Sequence, residues 1–214
     1  MSRITLSKTF RSWLELWESL QVDLNTMLTE IYAELSYHNR LSAPLVTTPV
    51  STVTVEEYGD GKDMTTILTL TDFIVGHIPA AAAALSIGNI VATFPTGVHI
   101  EDTLFQSLSL KLPGTVVNAD LGLGSVIGSG TNAVLSAVGT TSEDRLTGQT
   151  VPTAPTGGTA TVALVRANVA GISLNVAASV KNIFLNAAGT WNVDNHANLT
   201  ATGTIIIKWN KIAY

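Results

Sequence analysis

The chain has 214 residues, enough for one domain plus an appendage or for two small domains, with ample length for a sizeable core. It contains no cysteine, which excludes a disulfide framework, a thiolate metal site and a cysteine nucleophile. Charged residues make up 13%, about half the usual share, and a net charge of −5 with scattered Lys and Arg argues against a nucleic-acid partner.

The opening Met1-Ser2-Arg3 leads into a segment carrying Trp, Glu and Asp, so no signal peptide is expected. The clearest pattern follows at once. Phe10, Trp13, Trp17, Leu20, Leu24, Met27 and Ile31 alternate spacings of three and four, the seam of a heptad repeat. A helix is predicted from about Lys8 to about Leu41, capped by Ser7 and stopped at Ser42-Ala43-Pro44, because the residue before proline is pushed out of the helical region. Leu14, Leu28 and Leu35 widen the stripe, which suits a bundle of three or more helices, and three is the expected copy number. An amphipathic helix packed on its own chain's sheet would carry the same stripe. Two Trp and a Phe at one end, followed by a proline-punctuated segment, favour self-association through these seven residues. Residues 1–43 are thus read as an N-terminal amphipathic, coiled-coil-like helix. Its polar face holds Glu15, Glu18, Asp23, Glu30 and Glu34 against few bases, which disfavours a membrane surface. Despite a mean hydropathy of +0.34, no apolar run reaches the roughly 18 to 20 residues of a membrane-spanning helix.

Residues 44–63 read as an extended linker, with Pro44 and Pro49 followed by alternating Thr and Val from Thr52 to Val55. Glu56, Glu57, Asp60 and Asp63 gather around Gly59 and Gly61, loosely like a cation loop. The ladder and terminal glutamate of an EF-hand are missing, and an acidic solvated turn is the expectation.

Residues 64–214 lose the helical period and show short runs rich in Val, Ile, Thr and Leu between Gly, Pro, Asn and Asp. Strands are predicted at 65–75, 89–94, 99–112, 123–127, 133–138, 159–166, 172–176, 181–186 and 199–209. The last is the best example: Leu199, Ala201, Gly203, Ile205, Ile207 and Trp209 alternate with Thr200, Thr202, Thr204, Ile206, Lys208 and Asn210. Pro79 and five alanines suggest a short helix closed by Gly88. The expected fold class is mainly β, an antiparallel sandwich or jelly roll preceded by the long helix. Only seven acids and six bases fall between Met64 and Tyr214, so subunit burial is expected to cover part of this surface.

The search for chemistry is mostly negative. His38, His77, His99 and His196 are scattered; His77 with His99, or Asp194 with His196, would need further ligands to make a zinc site. No nucleophile elbow, His-Glu-x-x-His or phosphate loop is present, and the glycines from Gly122 to Gly130 lack the spacing and βαβ context of a dinucleotide fingerprint. The adjacent acids Glu101-Asp102 and Glu143-Asp144 raise glycoside hydrolysis, but neighbours on a strand point to opposite faces; Glu101 with Glu143 or Asp194 remains the geometric alternative. No catalytic, cofactor-binding or metal residue is assigned, and no enzyme activity is expected.

Five segments together, IGNIVATFPTGVHIED, ADLGLGSVIGSG, SEDRLTGQT, NIFLNAAGTW and LTATGTIIIKW, resemble small virion structural proteins of tailed bacteriophages over about residues 87–209. The resemblance implies a jelly-roll-like domain used for capsid decoration or for a head or tail fibre. On that footing the expected protein is a trimeric capsid decoration, or cement, protein. It would be assembled into the virion in the host cytoplasm, with itself and the major capsid protein or other virion proteins as partners. The alternative is a fibre or receptor-binding protein recognising host glycan or protein; a polysaccharide-cleaving tailspike fragment comes third.

Overall fold

In the computed structural model, residues 41, 43–78, 83–111, 115–138, 140–151, 159–162, 165–167, 172–174, 181–192 and 197–211 are described. The helix expected at 8–41, and with it Phe10, Trp13, Trp17, Leu20, Leu24, Met27 and Ile31, lies outside them, apart from Leu41 at its end. The described part is mainly β and antiparallel. Its strands are β1 (Val53–Gly59), β2 (Asp63–Ile78), β3 (Ala83–Phe94), β4 (Val98–Lys111), β5 (Thr115–Gly124), β6 (Leu146–Thr150), β7 (Thr159–Val162), β8 (Val165–Ala167), β9 (Ile172–Leu174), β10 (Lys181–Asn192) and β11 (Ala197–Lys211). A single turn of helix, α1 (Leu135–Val138), lies between β5 and β6. No helix among these residues is long and apolar enough to cross a membrane.

The strands form two sheets. The larger runs β1-β2-β11-β4, with β7, β8 and β9 along the far side of β4; the smaller runs β3-β10-β5-β6. The pairings are nested: β2 with β11, β3 with β10, β4 with β7 to β9, and β5 with β6. The chain thus behaves like one long hairpin whose successive segments alternate between sheets.

Period-two patterning explains which faces meet. Leu68 and Leu70 on β2, Phe105 and Leu108 on β4, and Ile205, Ile207 and Trp209 on β11 are buried, while Thr69, Gln106 and Lys208 are exposed. The smaller sheet adds Val91, Phe94, Leu121, Leu123, Ile183, Leu185 and Trp191 to the same core. Phe94 meets Trp209 edge to face at 5.8 Å, one aromatic from each sheet, so the sheets pack across a common interior as in a β-sandwich. β11 carries two irregularities against β2, at Leu199/Thr200 and Ala201/Gly203, where Gly203 (φ 145°) and Asp72 (φ 49°) absorb the twist and the Asp72 N–H donates to Thr202 Oγ1 at 3.0 Å.

Several sequence expectations need correction. Residues 83–88 are not helical but strand, Ala83 paired with Trp191 and Gly88 with Asn186: a long partner outweighs the small helical preference of alanine. Residues 135–138 form helix, not strand, because Leu135 turns inward and its N–H finds Asp120. The strand expected at 123–127 is β5, which begins at Thr115 and ends at Gly124. β6 was hidden by its polar sequence LTGQT. Within the stretch read as a linker, Val53–Gly59 forms an edge strand in register with β2, Val53 against Leu70 and Gly59 against Met64.

Candidate functional site

Two polar constellations hold irregular chain against the sheets. The first is centred on Glu57, expected in a solvated turn but fully buried. Val53, Val55 and Glu57 share one face of β1, and that parity points the carboxylate inward. Its Oε2 accepts the N–H of Leu45 and, at 3.3 Å, that of Val46, while Oε1 accepts the Thr66 hydroxyl at 2.8 Å. Thr66 Oγ1 in turn accepts the indole N–H of Trp209 at 2.8 Å. The Leu41 N–H donates to Glu57 O, and Thr47 and Thr93 exchange two backbone bonds. The chain entering the β-domain is therefore fastened to it at three points by buried or backbone donors.

The second constellation fixes the loop from Ser125 to Arg145 on the outer face of the smaller sheet. Asn186 of β10, fully buried, is its hub: Oδ1 accepts the Gly128 N–H at 2.8 Å, and Nδ2 donates to the carbonyls of Val126 at 2.9 Å and Ser142 at 2.7 Å. Asp144 accepts both the N–H and the hydroxyl of Ser125 at 2.8 Å, Asp120 accepts the Leu135 N–H at 3.2 Å, and Glu143 accepts the Gly148 N–H at 2.6 Å. Ser86 pairs with Gly130 and its hydroxyl reaches Asn132 O. Close approach of loop to sheet requires missing side chains. A Cβ on Gly88 would lie 1.9 Å from Asn186 Oδ1, and one on Gly124 would lie 2.3–2.6 Å from the backbone of Ser142. Arg145 is buried beside Asp144 at 3.5 Å; desolvation holds its guanidinium pKa below the ordinary arginine value, and Asp144 opposes that shift.

This firmly held loop carries Val126, Ile127 and Val134, each more than 40% exposed, three of the five large hydrophobics so exposed among the described residues.

The acids named above as alternatives for a cation loop or a paired-carboxylate site are not brought together. Glu57 points inward, Glu56 outward, and Asp60 Oδ1 accepts the N–H groups of Lys62 and Asp63, both at 2.8 Å. Those two bonds, Asp63 first, hold the Asp60 carboxyl below the ordinary aspartate range. Glu101 is the extra residue of a bulge opposite Lys208 and Trp209 and accepts from Asn210 at 2.7 Å, so it lies on the larger sheet, away from Glu143 on the smaller. His77 and His99 sit at opposite ends of β11, against Asn198 and Asn210, roughly 40 Å apart along the strand. Asp194 and His196 lie outside the described residues. Among the described residues no three His, Asp or Glu side chains are grouped to hold a metal ion. Sequence reasoning missed Glu57, whose parity with Val53 and Val55 marked it, and Asn186, which nothing local distinguishes.

Comparison with family models, with curated proteins and with solved structures finds no match to this chain.

Proposed function

We propose that this chain is a structural protein of a phage virion, a capsid decoration protein that self-associates and stabilises the shell. The observation that carries the reading is the nested strand pairing, β2/β11, β3/β10, β4/β7–β9 and β5/β6, the order of a double-sheet jelly roll, an architecture that recurs in viral capsid and lectin domains. The charge-poor composition and the apolar loop bearing Val126, Ile127 and Val134 support it, since interface cores are depleted of charge.

In this reading the work is burial rather than catalysis. Phe10, Trp13, Trp17, Leu20, Leu24, Met27 and Ile31 form the seam of a homotrimer, and the β-domains bridge or cap units of the major capsid protein. Truncation of an interface aromatic typically costs at least about 2 kcal/mol, so Trp17→Ala is expected to shift the trimer toward monomer at micromolar concentration, read by mass photometry. The deciding experiment is binding of purified protein to particles lacking it. Saturable binding with a gain in heat resistance supports decoration. The lectin-like use of the same strand order favours one alternative, a fibre or receptor-binding role; adsorption to host cells without shell binding would select it.

A further inference from the structure

Residues 43–48 cross the gap between the sheets on the side where β1 ends the larger sheet and β3 ends the smaller. The crossing is made between two consecutive residues. On one side the N–H groups of Leu45 and Val46 both donate to Glu57 Oε2 on β1. On the other, the Thr47 N–H donates to Thr93 O on β3 at 3.0 Å, and Thr47 O accepts the Thr93 N–H at 2.7 Å. Neighbouring Cα atoms are about 3.8 Å apart, so a single step of chain is held to both sheets.

The hold is narrow. Val46, 1% exposed, is the only buried side chain of this segment, while Leu45 is 44% exposed and Ala43, Pro44 and Thr47 also face outward. Pro44 has no N–H to donate. The bridge between Thr47 and Thr93 is isolated, outside any strand ladder. Two bonds of that kind do not offset the entropy lost by ordering the segment, and neither do two amides on one carboxylate. Each grip therefore depends on the other. Glu57, buried in the closed arrangement, returns to water when the segment leaves, which offsets part of the loss. Leu41 and Val50, partly buried against the core, flank the segment as anchors, and β1 keeps its own pairing with β2 from Val53 onward.

We propose that residues 43–48 are a clasp that opens and closes as one piece, freeing the edges of both sheets together while the sheets stay folded. Segments with few buried apolar contacts open at a lower free energy than the whole domain. Open, the clasp leaves the seat of Val46 in the common core, and the outer edges of β1 at Glu57 and of β3 at Thr93, in contact with water. The device uses none of residues 1–40 and does not rest on the virion assignment.

Native-state hydrogen exchange of the full-length protein in low urea tests it, read residue by residue by NMR. The amides of Leu45, Val46, Thr47 and Thr93 are expected to share one opening constant within about fivefold. That constant is expected to exceed by at least about tenfold the one for Ile205 and Ile207 of β11, which lies between β2 and β4, and to depend less on urea because little surface is exposed. Opening constants at Thr47 and Thr93 that depart from those at Leu45 and Val46 by more than about fivefold would show two independent contacts and overturn the proposal. So would a constant within about tenfold of that for β11, since no separate opening would then exist. Val46→Ala gives a second arm: it leaves every bond of the clasp in place and removes its one buried anchor. Exchange protection at all four positions is expected to fall by a common factor, about tenfold or more. A fall confined to positions 45 and 46, or to Thr47 and Thr93, would also overturn the clasp.

Discussion

Replacing Glu57 with alanine removes an acceptor from the interior without removing its donors. The N–H groups of Leu45 and Val46 and the hydroxyl of Thr66 all end on this carboxylate, and the Trp209 indole leans on the same hydroxyl. Hydrogen bonds to a charged group contribute about 1.5–3 kcal/mol each, and bonds sharing one acceptor add incompletely. Allowing for donors stranded in the core, Glu57→Ala is expected to cost about 4 kcal/mol, a large part of the roughly 5–15 kcal/mol that holds a domain folded. Glu57→Gln keeps an oxygen for the two amides and loses mainly the bond from Thr66, so about 1–2 kcal/mol is expected. Thr66→Val breaks the chain one link further in and is expected to cost about 2 kcal/mol. Urea unfolding followed by tryptophan fluorescence measures all three, and hydrogen exchange at Leu45 and Val46 reports whether the entering chain comes loose first. A loss below about 1 kcal/mol for Glu57→Ala, or equal losses for alanine and glutamine, would refute the reasoning.

Gly88→Ala forces a methyl group onto Asn186 Oδ1 and should lower stability by about 1–3 kcal/mol, with exchange protection lost at Gly128, whose N–H ends on that oxygen. Asp60, with its pKa depressed by two backbone donors, should titrate by NMR below the ordinary aspartate value of about 3.9. Its stabilising effect is therefore fully present above that pH and lost as the pH falls through the folded midpoint; Asp60→Asn should flatten this part of the acid unfolding profile. Changing Val126 and Ile127 together to serine should leave the unfolding midpoint nearly unchanged, because both are exposed, while weakening attachment to particles; an unaltered attachment would remove the loop from the binding surface.

How far the fold could be read from sequence depended on where each strand's partner lies. β2, β4 and β11 announce themselves because one face is apolar and the other is Thr, Gln or Lys, and alternation is a local signal. β1 carries the same signal in Val53 and Val55, yet it follows two prolines and ends in acids, and what makes it a strand is the edge of β2, decided by residues up to 17 positions away. The alanines of β3 and the polar β6 lack a local signal, since β10 and β5 dictate their conformation from outside. The carboxylates illustrate the same limit at the site. Asp144, Glu143 and Asp120 are ordinary acids in sequence, and their roles come from backbone N–H groups that only the folded loop delivers. The glycines between Gly122 and Gly130 were legible as punctuation, but the use of Gly124 as a floor against which the backbone of Ser142 lies was not.

The nested pairing also governs how the domain is made. β11 is the last of the described strands to be synthesised, yet it lies between β2 and β4 in the middle of the larger sheet. Thr66 pairs with Ile207, so β2 leaves the ribosome roughly 7 to 28 s before its neighbour at ordinary translation rates. During that interval β2 and β4 each present an apolar face and an unfilled edge, the condition in which nascent chains pair with the wrong neighbour. The sparse charges outside the core leave few gatekeepers against such errors, and the yield of native protein should respond to the speed of synthesis and the supply of chaperones more than to the stability of the finished fold.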